Sequence, residues 1–272
     1  IGIPGKDLSS KSSITGKGDP GYAYAFIWST PKLLELYEAN NDIDRCNWNI
    51  APFTYTQSAG EGTPVDGREF VKGKRDEVEQ QYWDKSFSYG KTNPGSTYGD
   101  RESKNDANKN RNRAAAKYRR EYEADKKSKN DTSINFPLLR YSDILLMIAE
   151  AENEVNHGPN DLAYECINAV RERAGISKLQ ENLDETNFRE AIKDERAMEL
   201  CFEYTRRFDL IRWGDYYKLM QEQVSKAQTD ESWKFGINVY TYFNIPKSYN
   251  YFPIPANEIG SNGAIKTNNP GW

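Results

Sequence analysis

The sequence predicts a mainly α fold of paired helical hairpins with long irregular aromatic-rich loops and little β structure. Three observations carry that prediction. Apolar residues recur with a helical period between Phe136 and Gly214. A Gly-Pro break at Asn156-His157-Gly158-Pro159 cuts that block so that its first two helices must fold back on each other. Residues 61–135, by contrast, are polar and rich in turn residues, as at Thr63-Pro64, Asn93-Pro94-Gly95 and Tyr98-Gly99.

The first helix of the block is expected to open at Pro137, with Tyr141, Ile144, Leu145, Ile148 and Val155 inward and the stripe widened by Met147, Ala149 and Ala151. Asn160 or Asp161 can cap the second, whose inward residues are Ala163, Cys166, Ile167, Val170 and Ala174, with Gly175 at its end. A third is expected from Asn187, capped by that side chain with Glu190 reaching back. Its inward residues would be Phe188, Ala191, Ile192, Met198 and Phe202. Small residues at Ala149, Ala151, Ala163 and Ala174 let the axes approach.

Outside this block, Pro31 suits the first turn of a short helix with Leu33, Leu34 and Tyr37 on one face. Tyr118 and Tyr122 fall on one side of a candidate edge strand over 117–122. Residues 215–272 read as loops, in which Tyr251-Phe-Pro-Ile-Pro255 must be extended because each Pro restricts itself and its predecessor. The boundary drawn is 1–135, a loop-rich aromatic region, against 136–272, a helical region with an extended tail.

Composition narrows the function classes. Aromatics make up 13% of the chain, with 18 Tyr and 6 Trp, yet charged residues reach 29% and mean hydropathy is −0.90. Side chains with an apolar face and a polar tip suit recognition of partly polar ligands such as sugars or peptides. The net charge of −4 argues against nucleic acid as a general partner, although 101–129 holds 11 Lys and Arg against 5 Asp and Glu and reads as a solvated surface. No window approaches the roughly 20 apolar residues that span a bilayer. Cys46, Cys166 and Cys201 are an odd number at no metal-ligand spacing, so a disulfide framework is not expected. With Ile-Gly-Ile at its start, the chain is expected to be processed or a fragment.

Ordered motifs identify a family. Arg140-Tyr-Ser-Asp-Ile-Leu-Leu-Met-Ile-Ala-Glu-Ala-Glu-Asn-Glu154 is followed by Ile167-Asn-Ala-Val-Arg-Glu-Arg-Ala-Gly175, then Glu195-Arg196, Glu199-Leu200 and Phe202-Glu203. Arg207-Phe-Asp-Leu-Ile-Arg-Trp-Gly214, Phe252-Pro-Ile-Pro-Ala-Asn-Glu-Ile259 and Asn269-Pro-Gly-Trp272 complete the series, with Asp42–Ile50 and Lys117-Tyr-Arg119 as looser landmarks. In this order the motifs resemble the C-terminal half of SusD/RagB-type proteins. One departure is Tyr204, where the family commonly has Gly after the Phe-Glu pair.

The resemblance implies tetratricopeptide-like hairpins and a non-enzymatic lipoprotein at the extracellular face of the outer membrane of Bacteroidetes-type bacteria. Such proteins bind oligosaccharides, or less often peptides, and deliver them to a TonB-dependent transporter of SusC type. A signal peptide, lipid-attachment Cys and first helical repeats are expected upstream of this chain, so membrane association would run through an anchor outside it. No cofactor is expected.

Residue by residue, the helical block reads as structural. Glu195 and Glu199 share one helix face, and paired carboxylates could serve glycoside hydrolysis, but the nearby Arg196, Arg206, Arg207 and Arg212 would hold them ionised. Arg140, Asp143, Glu150, Arg171 and Glu203 belong to the same structural set, and Asp209, Arg212 and Trp213 read as a helix-end lock. His157, the only histidine, stands on a turn and offers neither a triad nor a multi-His metal site. Asp42 and Asp44 lack the EF-hand pattern, because Cys46 takes the next alternate position; a structural calcium has no motif behind it.

Ligand contact is therefore expected from loop aromatics on which sugar rings stack: Tyr22, Tyr24 and Trp28 in one group, and Tyr82, Trp83 and Tyr89 in another. Trp48 reads as a fold anchor. The alternative function is a helical-repeat interaction module without a small-molecule site, which a flat, exposed apolar helix face would favour.

Overall fold

The computed structural model describes residues 27, 29–51, 114–118, 133–229 and 243–272. The chain divides into two compact units, residues 1–204 and 205–272.

The first unit is built on three helices, α3 (Tyr141–Val155), α4 (Asp161–Arg173) and α5 (Glu185–Glu199). Asn156 ends α3, and His157 (φ 54°) and Gly158 (φ 152°) reverse the chain. Asn160 then caps α4 by accepting from the Ala163 N–H at 2.9 Å. Gly175, at φ 78°, supplies the left-handed exit from α4. Leu146 and Ala149 of α3, Ala163, Cys166, Ile167 and Val170 of α4, and Phe188 and Ile192 of α5 form one buried cluster. Tyr164 closes it, meeting the Phe188 ring edge-on at 5.0 Å.

Two shorter helices complete the unit: α1 (Pro31–Ala39), with Pro31 in its first turn, and α2 (Ile43–Asn49), capped by Asp42, which accepts from the Arg45 N–H. Leu34, Leu36, Tyr37, Cys46 and Ile50 join Met198 of α5 in a second cluster. Tyr37 is fully buried, and its hydroxyl is satisfied because it donates to the Met198 carbonyl (2.7 Å) and accepts from Asn49 Nδ2 (2.9 Å). A two-residue antiparallel ladder joins β1 (Ile50–Ala51) to β2 (Ala114–Ala115), with Ile50 opposite Ala115. The fold is mainly helical, as expected.

Several expectations need correction. The first helix begins at Tyr141 and not at Pro137, because Arg140 stays extended (φ −128°, ψ 157°) with its guanidinium held by acidic side chains. Its buried face carries Asp143, Leu146, Ala149 and Asn153, whereas Tyr141 (76% exposed), Met147, Ala151 and Val155 (78%) face outwards. The helix is apolar on two opposite faces, so its periodicity does not reveal which one packs. Asp184, not Asn187, caps α5, accepting from the Asn187 N–H at 2.8 Å. Glu190 pairs with Lys193, and Phe202 lies beyond the helix at φ 62°. Lys117 and Tyr118 lie in a bend after β2, because the Lys117 ammonium turns to Glu203 and the Glu199 carbonyl; 119–122 lie outside the described residues.

The second unit contains α6 (Arg206–Arg212), α7 (Tyr216–Thr229), a 3-10 turn (Lys247–Asn250) and α8 (Ala256–Ser261). The 14-residue α7 overturns the reading of 215–272 as loops. Arg212 Nε bonds Asp209 Oδ1 at 3.0 Å while its guanidinium lies 4.6 Å from the Trp213 ring, the expected helix-end lock. Arg207 sits over Tyr216 (5.3 Å) and Phe252 (4.6 Å). At the chain end, Trp272 stacks on Tyr249 at 5.3 Å with an interplanar angle of 6°, and its indole N–H donates to the Ser248 carbonyl.

Candidate functional site

Glu195 and Glu199 on one face of α5, with Glu203 just beyond its end, form the electrostatic centre of the first unit. Each carboxylate is buried, so each needs partners to remain charged. Glu195 receives Arg45 Nη1 at 2.6 Å and Arg171 Nη1 at 2.9 Å. Glu199 receives Arg45 Nη1 (3.0 Å), Arg140 Nη1 (2.9 Å) and Arg173 Nη2. Glu203 takes a two-pronged contact from Arg140, Nε to Oε2 at 2.9 Å and Nη2 to Oε1 at 2.8 Å, and pairs with Lys117. Beside them, Arg196 Nη1 reaches Asp143 at 2.7 Å.

The cations that hold these carboxylates come from α2, the bend after β2, the entry to α3, and α4. The expected pairing of the glutamates with Arg196, Arg206, Arg207 and Arg212 is thus corrected: Arg196 serves Asp143, while Arg45, Arg140, Arg171 and Arg173 serve the glutamates. Proximity in sequence misled because these arginines approach from other elements across the hairpin. Arg45, Arg173 and Lys117 were missed as partners, although Arg45 and Lys117 lie in the Asp42–Ile50 and Lys117–Arg119 landmarks.

Burial by itself would raise the Glu199 pKa, but the hydrogen bond and charge of Arg173, the charge of Arg45 and the hydrogen bond from Arg140 outweigh it and hold the carboxyl at about 2. A general acid needs a proton near neutrality, so Glu199 is ill suited to that role. Asp42 shows the opposite balance, as burial pushes its carboxyl up more than Arg45, bonded through Nε at 2.5 Å, pulls it down. Glu150 is half-buried on α3.

Between α2, the bend after β2, the entry to α3, the end of α4 and α5 lies a cavity of about 350 Å³. Its walls include Arg45, Lys117, Arg140 and Arg173, with Asp44 and Glu199 as acidic side chains and Trp48 as the aromatic one. Arg45 is 8% exposed at its side chain, and its Nη2 has no hydrogen-bond partner among the described residues. The Arg173 side chain is 55% exposed.

Close in sequence to the cavity residues Lys117 and Arg140 runs a row of rings: Tyr118 lies 5.7 Å from Phe136, and Phe136 lies 5.5 Å from Tyr204. Tyr204 is 58% exposed and Phe136 42%. Tyr204 adopts φ 62°, a left-handed conformation that costs a side-chain-bearing residue on the order of 1 kcal/mol. Burial, followed by the Glu203 charge, raises the Tyr118 phenol to about 12, so it remains a donor, and it bonds the Phe202 carbonyl at 3.4 Å. Sequence reading singled out none of these rings as a ligand contact. The signal available was Tyr204 itself, standing where Gly is common.

The six aromatics expected to touch ligand, Tyr22, Tyr24, Trp28, Tyr82, Trp83 and Tyr89, lie outside the described residues. Trp48 is half-buried on α2. His157 is exposed and reaches Glu185 only at 3.8 Å. Among the described residues no group of three or more His, Cys, Asp or Glu side chains converges on a metal-sized site, and no helix is long and apolar enough to cross a membrane.

Comparison with known proteins places this architecture. The SusD family model matches residues 4–272. SusD-like protein P25 of Formosa agariphila is 38% identical over 136 residues, 49% of this chain and 23% of that protein. SusD-like protein P2 of the same organism is 30% identical over 149 residues, 52% of this chain and 27% of that protein. A crystallised SusD homolog from Bacteroides thetaiotaomicron superposes with a TM-score of 0.69 at 27% identity, over 99% of this chain and 47% of that one. A SusD superfamily protein from Bacteroides vulgatus, at 21% identity and a TM-score of 0.53, shares the fold over 96% of this chain and 48% of its own. The matched chain thus covers about a quarter of the curated relatives and about half of the solved ones.

Proposed function

Because the chain belongs to the SusD family, we propose that it takes part in capturing oligosaccharides at the extracellular face of a bacterial outer membrane and in passing them to a TonB-dependent transporter of SusC type. The family match over residues 4–272 is the observation that carries this reading. The role is binding without catalysis. Glu195 and Glu199 of α5, and Glu203 beyond its end, are each ion-paired to cations, which suits a rigid scaffold and not a proton donor opposite a nucleophile. The ligand is held by stacking on aromatic faces, with planar polar side chains for the hydroxyls. The loop aromatics Trp28 and Trp83 are the proposed contacts, alongside Tyr22, Tyr24, Tyr82 and Tyr89, and no cofactor is required.

Native gel electrophoresis through matrices containing different soluble polysaccharides tests this. At least one glycan should retard the chain, and Trp28→Ala or Trp83→Ala should relieve the retardation. Unretarded migration through every glycan would contradict the reading, and retention on a peptide matrix alone would replace glycan with peptide.

One observation favours a second reading. Tyr141, Met147 and Val155 are exposed along one face of α3, with Leu138 and Leu139 exposed just before it. Such an apolar face suits protein docking, and an interaction module would use it with no sugar involved. Loss of a protein contact on Met147→Glu, with glycan retention absent throughout, would favour this alternative.

A further inference from the structure

Arg207, in the second unit, is an arginine without a carboxylate. Arg45, Arg140, Arg171, Arg173, Arg196 and Arg212 each hold at least one acidic side chain. Arg207 is half-buried, yet no acceptor reaches its guanidinium among the described residues. Of its donor atoms only Nε is both buried and unpartnered, so Nη1 and Nη2, equally unpartnered, open to solvent. Enclosing a guanidinium costs free energy unless something answers its charge. Here that answer is aromatic: Cζ lies 4.6 Å from the Phe252 ring centroid and 5.3 Å from that of Tyr216. A ring face compensates charge but does not supply the paired oxygens that the planar fork of donors is shaped to meet.

Exposed rings stand within reach of this fork. Phe252, against which Arg207 packs, lies 6.5 Å from Phe208, and the two are 53% and 58% exposed. Arg207 and Phe208 are consecutive on α6, and Asn269 Nδ2 holds the Phe252 carbonyl at 2.7 Å. Fork and rings are thus fixed by the same short stretch of structure, inside one compact unit. Donors and ring faces already in place let a ligand bind with little ordering cost.

We propose that Arg207, Phe208 and Phe252 form a subsite for a uronic acid residue of an oligosaccharide, with the carboxylate on Nη1 and Nη2 and the sugar's C–H face against Phe208. A carboxylate offers two oxygens in one plane and a full negative charge, which is what the unpaired fork lacks. The pyranose supplies an apolar face for the exposed ring. A neutral sugar would use the ring alone and leave the guanidinium charge unanswered. This rests on the capture reading and adds to it the charge class of the ligand and a subsite that uses none of the loop tryptophans.

The test uses the whole chain, with an oligogalacturonate and its fully methyl-esterified form of equal length as probes, so that only the carboxylates differ. In calorimetry the acid form should bind about tenfold more tightly than the ester, and added salt should narrow that margin. The Arg207 Nε–H signal in a nitrogen–proton correlation spectrum should shift saturably with the acid form. Arg207→Lys keeps the charge but loses the fork, and should weaken the acid form about tenfold while leaving the ester unchanged. Phe208→Ala removes an exposed ring and should weaken both forms alike. Equal affinity for acid and ester would overturn the carboxylate assignment and leave the capture reading intact. Undiminished acid binding in Arg207→Lys, or an unmoved Arg207 signal in the parent, would overturn the subsite. If Arg207→Lys lowers the urea midpoint, Phe208→Ala and the parent's Arg207 signal decide. A polyglutamate peptide that shifts that signal at lower concentration than the oligogalacturonate would replace sugar with protein. Failure of both oligomers to bind overturns the subsite, whereas the capture reading falls only if no polysaccharide retards the chain.

Discussion

Replacing Glu199 by Gln removes one charge from the most heavily shared carboxylate of the first unit and leaves Arg45, Arg140 and Arg173 facing a neutral amide. The magnitude follows from the held carboxyl. Its pKa falls from an ordinary 4.5 to about 2, which at about 1.4 kcal/mol per pH unit corresponds to about 3 kcal/mol of stability at neutral pH. The cost of breaking a buried pair by deleting one partner, about 3–5 kcal/mol, agrees. Because the folded pKa is depressed, this contribution is fully present above pH 4.5 and is lost as the pH falls towards 2. Urea unfolding followed by circular dichroism should therefore show Glu199→Gln less stable by about 3 kcal/mol at pH 7, with the gap narrowing between pH 4.5 and 2. A gap under about 1 kcal/mol, or one unchanged across that window, would refute the claim that this network holds the hairpin to α2.

Asp42→Asn should cost less than Glu199→Gln in the same assay, since burial already pushes Asp42 upwards, Asn still caps α2, and Arg45 retains Glu195 and Glu199. Asn160→Ala removes the acceptor for the Ala163 N–H and should lower stability by about 1 kcal/mol, read as a shift in the urea midpoint. Gly271→Ala should release the chain end, because a Cβ there would lie 2.5 Å from Ser248 Cβ at a φ of 87°. Hydrogen exchange at the Trp272 amide, which bonds the Asn269 carbonyl, should then quicken, while exchange in α4 stays unchanged.

How far the sequence could be read depended on whether a signal was local. The α4 stripe of Ala163, Cys166, Ile167 and Val170 was legible because α4 has one apolar face and a capping Asn at the right place. In α3 the same reasoning placed Leu145, Ile148 and Ala149 correctly against the core but added Tyr141 and Val155, which are exposed, and left out Leu146, which is buried. Of the polar residues on its true inner face, Asp143 is held by Arg196 and the Asn153 amide N–H donates to the Glu185 carbonyl. Nothing on α3 itself reveals those partners. Carboxylates as structural members of an arginine network were legible from composition along α5, but their partners were not, since Arg45 lies 150 residues from Glu195 in sequence. The row Tyr118–Phe136–Tyr204 is likewise assembled from three separate segments, and no spacing rule joins them.

Capture without cleavage is most directly tested by titrating the retarding polysaccharide's oligomers into the whole chain by calorimetry, then following the same mixture by mass spectrometry. The account predicts saturable heat of binding and an oligosaccharide mass profile that stays constant with time. Shortened products accumulating in proportion to protein, or no heat with any oligomer, would contradict it.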